Sequence, residues 1–278
     1  MIVNLNDVLK KAQEGHYAVG LFNTTDTDMA EAVIAAAEEM NSPVVIGTAE
    51  ILLPFGELKL IAPSVRALAE RAKVPVVLHY DHGLTFDRCI EALKLGFSSI
   101  MFDGSLGDSK KNIEETREIV KIAHSFGASV EGEIGHVGNA IDGDGVEDDM
   151  YTTPEEAVNF VKDTGVDALA VAIGTAHGVY KTKPKLDLER LKAIREACDT
   201  PLVLHGGSGL SDDDFRNSIR DGIAKVNIFT DLCVAGVKAM EEGIKEGKGY
   251  LEIRNMKVEE IKKCVINKMK LFGSENKA

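Results

Sequence analysis

Four of the chain's seven histidines stand where an apolar run breaks off. Val74-Pro-Val-Val-Leu-His-Tyr-Asp-His82 ends in His79, Asp81 and His82, Gly174-Thr-Ala-His177 carries the third, and His205-Gly-Gly-Ser-Gly209 opens with the fourth. Apolar runs that stop at ionisable residues are where buried strands deliver side chains to a surface. Three imidazoles and one open position make a catalytic site for a borderline-soft divalent ion such as zinc. His82, His177 and His205, each beside Gly or Asp, are the trio this reading selects, whereas His79 lies one step deeper and reads as structural support. Any one of them alone is more simply a histidine bonded to a backbone carbonyl. Asp81, next to a ligand candidate, can carry a proton or only orient a neighbouring histidine, and proton transfer is the reading taken. Another run closes with Glu131 and Glu133.

A second chemistry follows from the glycines. In His205-Gly-Gly-Ser-Gly209 they let backbone N–H groups close on an anion while Ser208 donates its hydroxyl. Gly206, Gly207 and Ser208, with Asn227 and Thr230 from the next such run, are phosphate-site candidates, and Lys181 can supply the cation. Between these motifs Gly135–Thr153 is long, polar, glycine-rich and acidic, which suits a lid that carries a carboxylate over a site. Its Asp142-Gly-Asp144-Gly145 fails the spacing of a calcium loop.

Elements must bring these distant residues to one surface. Strands are predicted at Tyr17–Phe22, Pro43–Thr48, Pro75–Tyr80, Ser98–Phe102, Ala128–Ile134, Ala168–Ile173, Leu202–His205 and Ala224–Ile228. Helices are predicted between them at Met29–Met40, Pro63–Lys73, Thr85–Leu95, Lys110–Phe126, Pro154–Thr164, Leu186–Ala197 and Asp212–Asp221. Eight strands alternating with helices are parallel βαβ units with right-handed crossovers, and they close into a (β/α)8 TIM barrel. Helices Leu232–Lys245 and Val258–Leu271 are additional C-terminal elements, expected to cover the barrel or to meet another subunit. An open doubly wound sheet would want a glycine-rich turn after its first strand, and Phe22-Asn-Thr-Thr-Asp-Thr27 has none. In such a barrel the residues that close the strands share one mouth, and a phosphate commonly sits at the loops after strands seven and eight.

The length suits a single barrel domain over residues 1–278. A net charge of −13 argues against a broad nucleic-acid surface but allows one local anion site. No run reaches the roughly 18 apolar residues of a membrane span, and the first residues lack a basic segment before an apolar one, so the expectation is a cytoplasmic protein with no membrane partner. Cys89, Cys198, Cys233 and Cys264 are widely spaced and read as buried thiols rather than a disulfide frame.

His79-Tyr-Asp-His82-Gly, Val130-Glu-Gly-Glu-Ile-Gly135, Val146-Glu-Asp-Asp149, Gly174-Thr-Ala-His-Gly-Val-Tyr180, His205-Gly-Gly-Ser-Gly209, Lys225-Val-Asn-Ile and Lys270-Leu-Phe-Gly-Ser run nearly end to end. In these motifs and their order the sequence resembles the class II, metal-dependent ketose-bisphosphate aldolases, most closely the tagatose- and fructose-bisphosphate aldolase branch. The resemblance implies zinc on His82, His177 and His205, with Glu133 as an alternative ligand when the metal shifts. It implies Asp81 as acid/base at the cleaved hydroxyl and Glu147 as the group handling the ketone α-proton. Gly178, Gly206, Ser208, Asn227 and Thr230 would hold the phosphate with a Na+ or K+ ion nearby, Asn23 would join the substrate-contacting set, and the assembly would be a homodimer or homotetramer. The implied reaction is reversible cleavage of a ketose 1,6-bisphosphate, or related ketose 1-phosphate, to dihydroxyacetone phosphate and an aldehyde through a metal-stabilised enediolate.

Several positions depart from the family pattern. Asp26 stands where many members carry a second asparagine, Ala49 where serine is common and Phe229 where an aspartate is usual, and Gly138–Gly145 is longer than the usual link. These leave the ligands intact and bear on the aldehyde half, where an atypical deoxy or acidic sugar phosphate is the alternative substrate. A Schiff-base aldolase would need a lysine at a strand end, and Lys225 stands earlier in its strand. Two further alternatives are a sugar-phosphate or metal-binding barrel without turnover, and a phosphate-barrel isomerase, which would not need three histidines.

Overall fold

Short runs of Val, Ile, Leu and Ala form eight parallel strands: β1 Val19–Asn23, β2 Val44–Ala49, β3 Val76–Gly83, β4 Ser99–Phe102, β5 Ser129–Ile134, β6 Ala168–Val171, β7 Leu202–Leu204 and β8 Ile223–Ile228. Each pairs with the next and β8 pairs back onto β1, so the sheet closes as the predicted TIM barrel. The computed structural model describes residues 1–135, 138–139, 151–178 and 184–278, with 138, 139 and 177 through their backbone alone. A two-residue strand, Ile2–Val3, adds to the outer edge of the pairing at β3, and Gly138–Asn139 pairs with Ala176–His177 above the barrel.

Helix α1, Leu5–Glu14, precedes the barrel. The strands are then separated by α2 Thr27–Glu39, α3 Leu58–Arg71, α4 Phe86–Lys94, α5 Ser109–Ser125, α6 Pro154–Thr164, α7 Leu188–Ala197 and α8 Asp212–Arg220, and α9 Thr230–Lys245 and α10 Tyr250–Phe272 follow β8. Their starts follow cap chemistry. Thr153 accepts from the Glu156 N–H while Glu156 reaches back, with Pro154 in the first helical turn, and Ser211 and Asp214 repeat the device on α8.

Side chains on a strand alternate between faces. Leu78 and Tyr80 therefore join the layer packed against the helices, while Val77 joins Val19, Leu21, Val45, Ala170 and Val203 inside the barrel. Leu5, Val8, Leu9 and Ala12 of α1 close that inner cluster from the N-terminal end of the strands. Each large aliphatic side chain so buried contributes roughly 1.5–3 kcal/mol. One step further along the same strands the buried inward positions become ionisable: His79 and Asp81 on β3, Glu131 and Glu133 on β5, Lys225 on β8, and His205 just past β7. An apolar plug below thus supports a polar mouth above.

Three elements around the barrel differ most from the predicted ones. Helix α3 begins at Leu58 and runs through Pro63. The N–H that proline lacks would have bonded the carbonyl of Lys59, and both residues lie on the exposed face, where that carbonyl is open to solvent. A 3-10 turn, Glu50–Phe55, follows β2; Glu50 fastens it by accepting from the Tyr80 hydroxyl at 2.9 Å and the Leu84 N–H at 2.8 Å. Helix α10 starts eight residues before the predicted Val258; its first turns are held by ion pairs, in which Arg254 and Lys257 reach Asp26, Asp28 and Glu31 of the α2 region, and by Ile253 and Met256 against Gly243 of α9. Helix α10 covers the barrel wall between α2 and α8, with Phe272 against Phe215 and the Phe272 carbonyl accepting from Ala18.

Candidate active site and metal centre

Asp81, buried at the end of β3, is held from both sides. Asn23 at the end of β1 donates to Oδ2 at 2.8 Å, and Asn227 on β8 donates to Oδ1 at 3.1 Å. Asn227 is itself oriented by the Lys225 ammonium, which donates to its Oδ1 at 2.8 Å. Gly47 on β2 makes room for this, since a Cβ there would overlap the Asn23 amide. Burial works to raise the Asp81 pKa, but the positive charge of His82, the His79 hydrogen bond and Lys225 outweigh it and hold the carboxyl well below its usual range. Asp81 is therefore an anion aimed in a fixed direction.

His82 has a backbone φ of 46°, the left-handed region that non-glycine residues rarely enter, where the pairing of β3 with β4 slips between Tyr80 and Gly83. Such a conformation costs on the order of 1–3 kcal/mol and persists only where the surroundings enforce it. Here Asp103, just past β4, accepts from His82 Nδ1 at 2.7 Å, and Ser105 fixes Asp103 through its N–H and hydroxyl. Nε2 is then the ring nitrogen a metal would take. His205 lies 2.8 Å from Glu131 through Nε2 and 2.9 Å from Glu133 through Nδ1, and its ring centre is 4.6 Å from that of His82. Burial lowers the His205 pKa, but the two glutamates overcome it and raise it to about 10. Beneath, Lys225 pairs with Glu131 at 2.8 Å, and His79, fully buried, bonds Ser99 at 2.7 Å.

The charge balance tests whether these residues suit a divalent ion. Among the described residues, the carboxyl groups of Asp81, Asp103, Glu131 and Glu133 share one buried ammonium, Lys225, and outnumber it by three. His82 and His205 supply two positive charges only as imidazolium, and both pKa values are raised. A divalent cation held by neutral imidazoles would give the same net charge. Asp81, His82 and His205 place donor atoms within 4.8 Å of one another, as do His82, Asp103 and Glu133. This mixed nitrogen and oxygen set fits zinc.

The glycine loop after β7 forms the opposite wall. Gly206 has φ 64°, and a Cβ there would overlap the backbone of Ala176, so glycine is what lets the loop close against the Ala176–His177 segment. Ser208 accepts from the N–H groups of Phe229 and Asp231 at 3.3 and 3.4 Å, fastening the loop to the start of α9. Helix α9 begins at Thr230, two residues before the predicted Leu232, so Thr230 lies in its first turn, where the helix dipole favours an anion. The acid in that turn, Asp231, is drawn off by Lys268 at 2.7 Å.

One cavity of about 420 Å³ joins these walls, lined by Asn23, Asp81, His82, Glu133, Gly178, Gly206, Gly207, Ser208, Asn227 and Thr230. Every predicted site residue whose side chain is described lies in this cavity or, like His205, against its floor. The backbone places His177 beside the same loop, while Glu147 and Lys181 lie outside the described residues. Sequence reasoning missed Asp103, although it closes the Ser98–Phe102 run and the strand-end rule applied elsewhere would have found it. Nor did it give Glu131 a role, and it assigned Asn23 and Asn227 to the substrate without their hold on Asp81.

The family model described as "Fructose-bisphosphate aldolase class-II" matches residues 3–277. A probable fructose-bisphosphate aldolase from Bacillus subtilis is 38% identical over 283 residues, covering 100% of this chain and 99% of that one. A 6-phospho-5-dehydro-2-deoxy-D-gluconate aldolase from Halalkalibacterium halodurans is 40% identical over 285 residues, covering 100% and 98%. Among solved structures, the YdjI aldolase from Escherichia coli K12 superposes with a TM-score of 0.92 at 37% identity, covering 100% of both chains.

Proposed function

The chain belongs to the class-II fructose-bisphosphate aldolase family, an aldehyde-lyase family, and from that premise we propose that it reversibly cleaves a ketose phosphorylated beside its ketone to dihydroxyacetone phosphate and an aldehyde. The observation that carries this reading is the Asp81 carboxylate, clamped by Asn23 and Asn227 in the same cavity as His82 and the glycine loop at the start of α9. In our reading His82, His177 and His205 hold zinc, with Glu133 as the alternative ligand. Zinc, the metal of class II aldolases, supplies Lewis-acid polarisation of the ketone oxygen when bound.

Asp81 takes the proton of the hydroxyl on the carbon beyond the bond that breaks. The electron pair of that bond passes toward the ketone, the aldehyde leaves, and the three-carbon enediolate takes a proton at its new terminus. We assign that second transfer to Glu147. Holding Asp81 as an anion in one direction converts a diffusional proton transfer into a positioned one, typically worth 10²–10⁴-fold. Gly206, Gly207, Ser208 and Thr230, with Gly178 from the neighbouring segment, are assigned to the phosphate, with Lys181 and a Na+ or K+ ion as its cations. Asn23 and Asn227 serve the substrate through Asp81. A homodimer or homotetramer remains part of this proposal.

The test is release of dihydroxyacetone phosphate from a broad panel of ketose phosphates, with and without chelator. Release that chelator abolishes and zinc restores is expected. Folded, zinc-loaded protein that releases none from any member would sink the reading, and chelator-resistant cleavage trapped by borohydride would replace it with a Schiff-base mechanism.

A further inference from the structure

The cavity has two unlike halves. Opposite the glycine loop and α9, the loops after β2, β3 and β4 present Ile51, Leu52, Leu84 and Leu106, with Phe229 at the side. Ile51, Leu84 and Leu106 are 75%, 54% and 77% exposed, and large side chains this open beside a reaction centre stand ready to be covered by what binds there. The wall is rigid rather than incidental. Glu50 ties the turn bearing Ile51 and Leu52 to Tyr80 and Leu84, and Asp103, while holding His82, fixes Ser105 beside Leu106.

Among the described residues, electrostatics disfavour a second anion in this half. Its floor carries Asp81, Asp103 and Glu133, and among the described lining residues there is no lysine or arginine. A phosphate or carboxylate placed here would find no described lysine or arginine to pair with. A polyhydroxylated tail gains little from the wall itself, whose one alcohol among the described lining residues, Ser105, donates its hydroxyl to Asp103.

We infer that the loops after β2, β3 and β4 form an apolar subsite for the aldehyde half, and that the preferred aldehyde has an uncharged alkyl end. The substrate is then a terminally deoxygenated ketose whose only phosphate sits beside the ketone. This rests on the aldolase reading above, and the test separates the two.

Exchange of the dihydroxyacetone phosphate α-proton with solvent, followed by NMR in D2O, needs no aldehyde and reports the aldolase reading alone. With exchange established on zinc-loaded protein, condensation of dihydroxyacetone phosphate with butanal, glyceraldehyde and glyceraldehyde 3-phosphate tests the subsite. A kcat/KM for butanal at least ~10-fold above the other two is expected, the scale on which an apolar pocket discriminates a methylene or two. Leu106→Arg and Ile51→Arg, both at exposed positions, should shift the preference toward glyceraldehyde 3-phosphate by a similar factor. A preference of the unsubstituted chain for either glyceraldehyde overturns the inference. So does a Leu106→Arg variant that changes sedimentation but not aldehyde preference, which would make the wall a contact between copies of the chain. Absence of proton exchange removes the aldolase reading itself.

Discussion

At the scale of single residues the site separates groups that act from groups that aim them. Asp81 is assigned to the reaction, and Asp81→Asn keeps the side chain's shape and one of its two accepting oxygens while removing the base. A kcat lower by at least ~10² is expected with zinc content unchanged by metal analysis; an unchanged kcat would take Asp81 out of the mechanism. Asp103 is a positioning residue, because it touches His82 rather than the reacting atoms. Asp103→Asn should weaken zinc binding about 10–100-fold in a competition titration, the usual cost of losing the carboxylate behind a metal-bound histidine. A purely structural role would instead lower the unfolding midpoint and leave zinc affinity alone. The sequence made Asp81 and His82 legible because an apolar run that ends in ionisable groups is a one-dimensional signal. The hold of Asn227 on Asp81 was not legible, since it joins positions 146 residues apart whose pairing depends on barrel closure.

At the scale of elements, legibility followed the source of each element's stability. All eight strands were readable because each is a short, mainly aliphatic run bounded by polar residues. The beginning of α10 was not, since electrostatic contacts to α2 leave no period in the apolar residues; Tyr250 and Leu251 there point outward, 83% and 72% exposed. Those contacts give a pH signature. Burial raises the Asp28 pKa, but hydrogen bonds from Lys257 and Arg254 outweigh it, so the folded value lies below the unfolded one of about 3.9. Stabilisation from this group is therefore complete above the unfolded pKa and is lost as pH falls through the folded one. Asp28→Asn should cost at most about 1 kcal/mol in urea unfolding at pH 7, a typical value for a partly exposed pair. The difference from the unsubstituted chain should shrink as pH drops below about 4 and on adding salt. A difference independent of pH would mean that packing, not charge, joins α10 to α2.

At the scale of the molecule, the barrel encloses charge directly above an apolar plug, an arrangement that only a closed network makes tolerable. Lys225 and Glu131 are fully buried, and their 2.8 Å contact links β8 to β5 across the barrel while Glu131 also bonds His205. Burial pushes the Glu131 pKa up, yet Lys225 and His205 bring it down to about 2, so its carboxyl is ionised at neutral pH. Desolvating both charges costs about as much as their attraction returns, so the pair need not add net stability, whereas removing one partner strands the other in the interior. Lys225→Met should therefore destabilise by roughly 3–5 kcal/mol in urea unfolding. The double variant Lys225→Met, Glu131→Gln should recover much of that loss, because a glutamine carbonyl can still accept from His205 without carrying a charge. If the double variant were no more stable than the single one, the cost would come from lost packing around the lysine stem, and the paired charges could not be what ties β5, β7 and β8 together under the site.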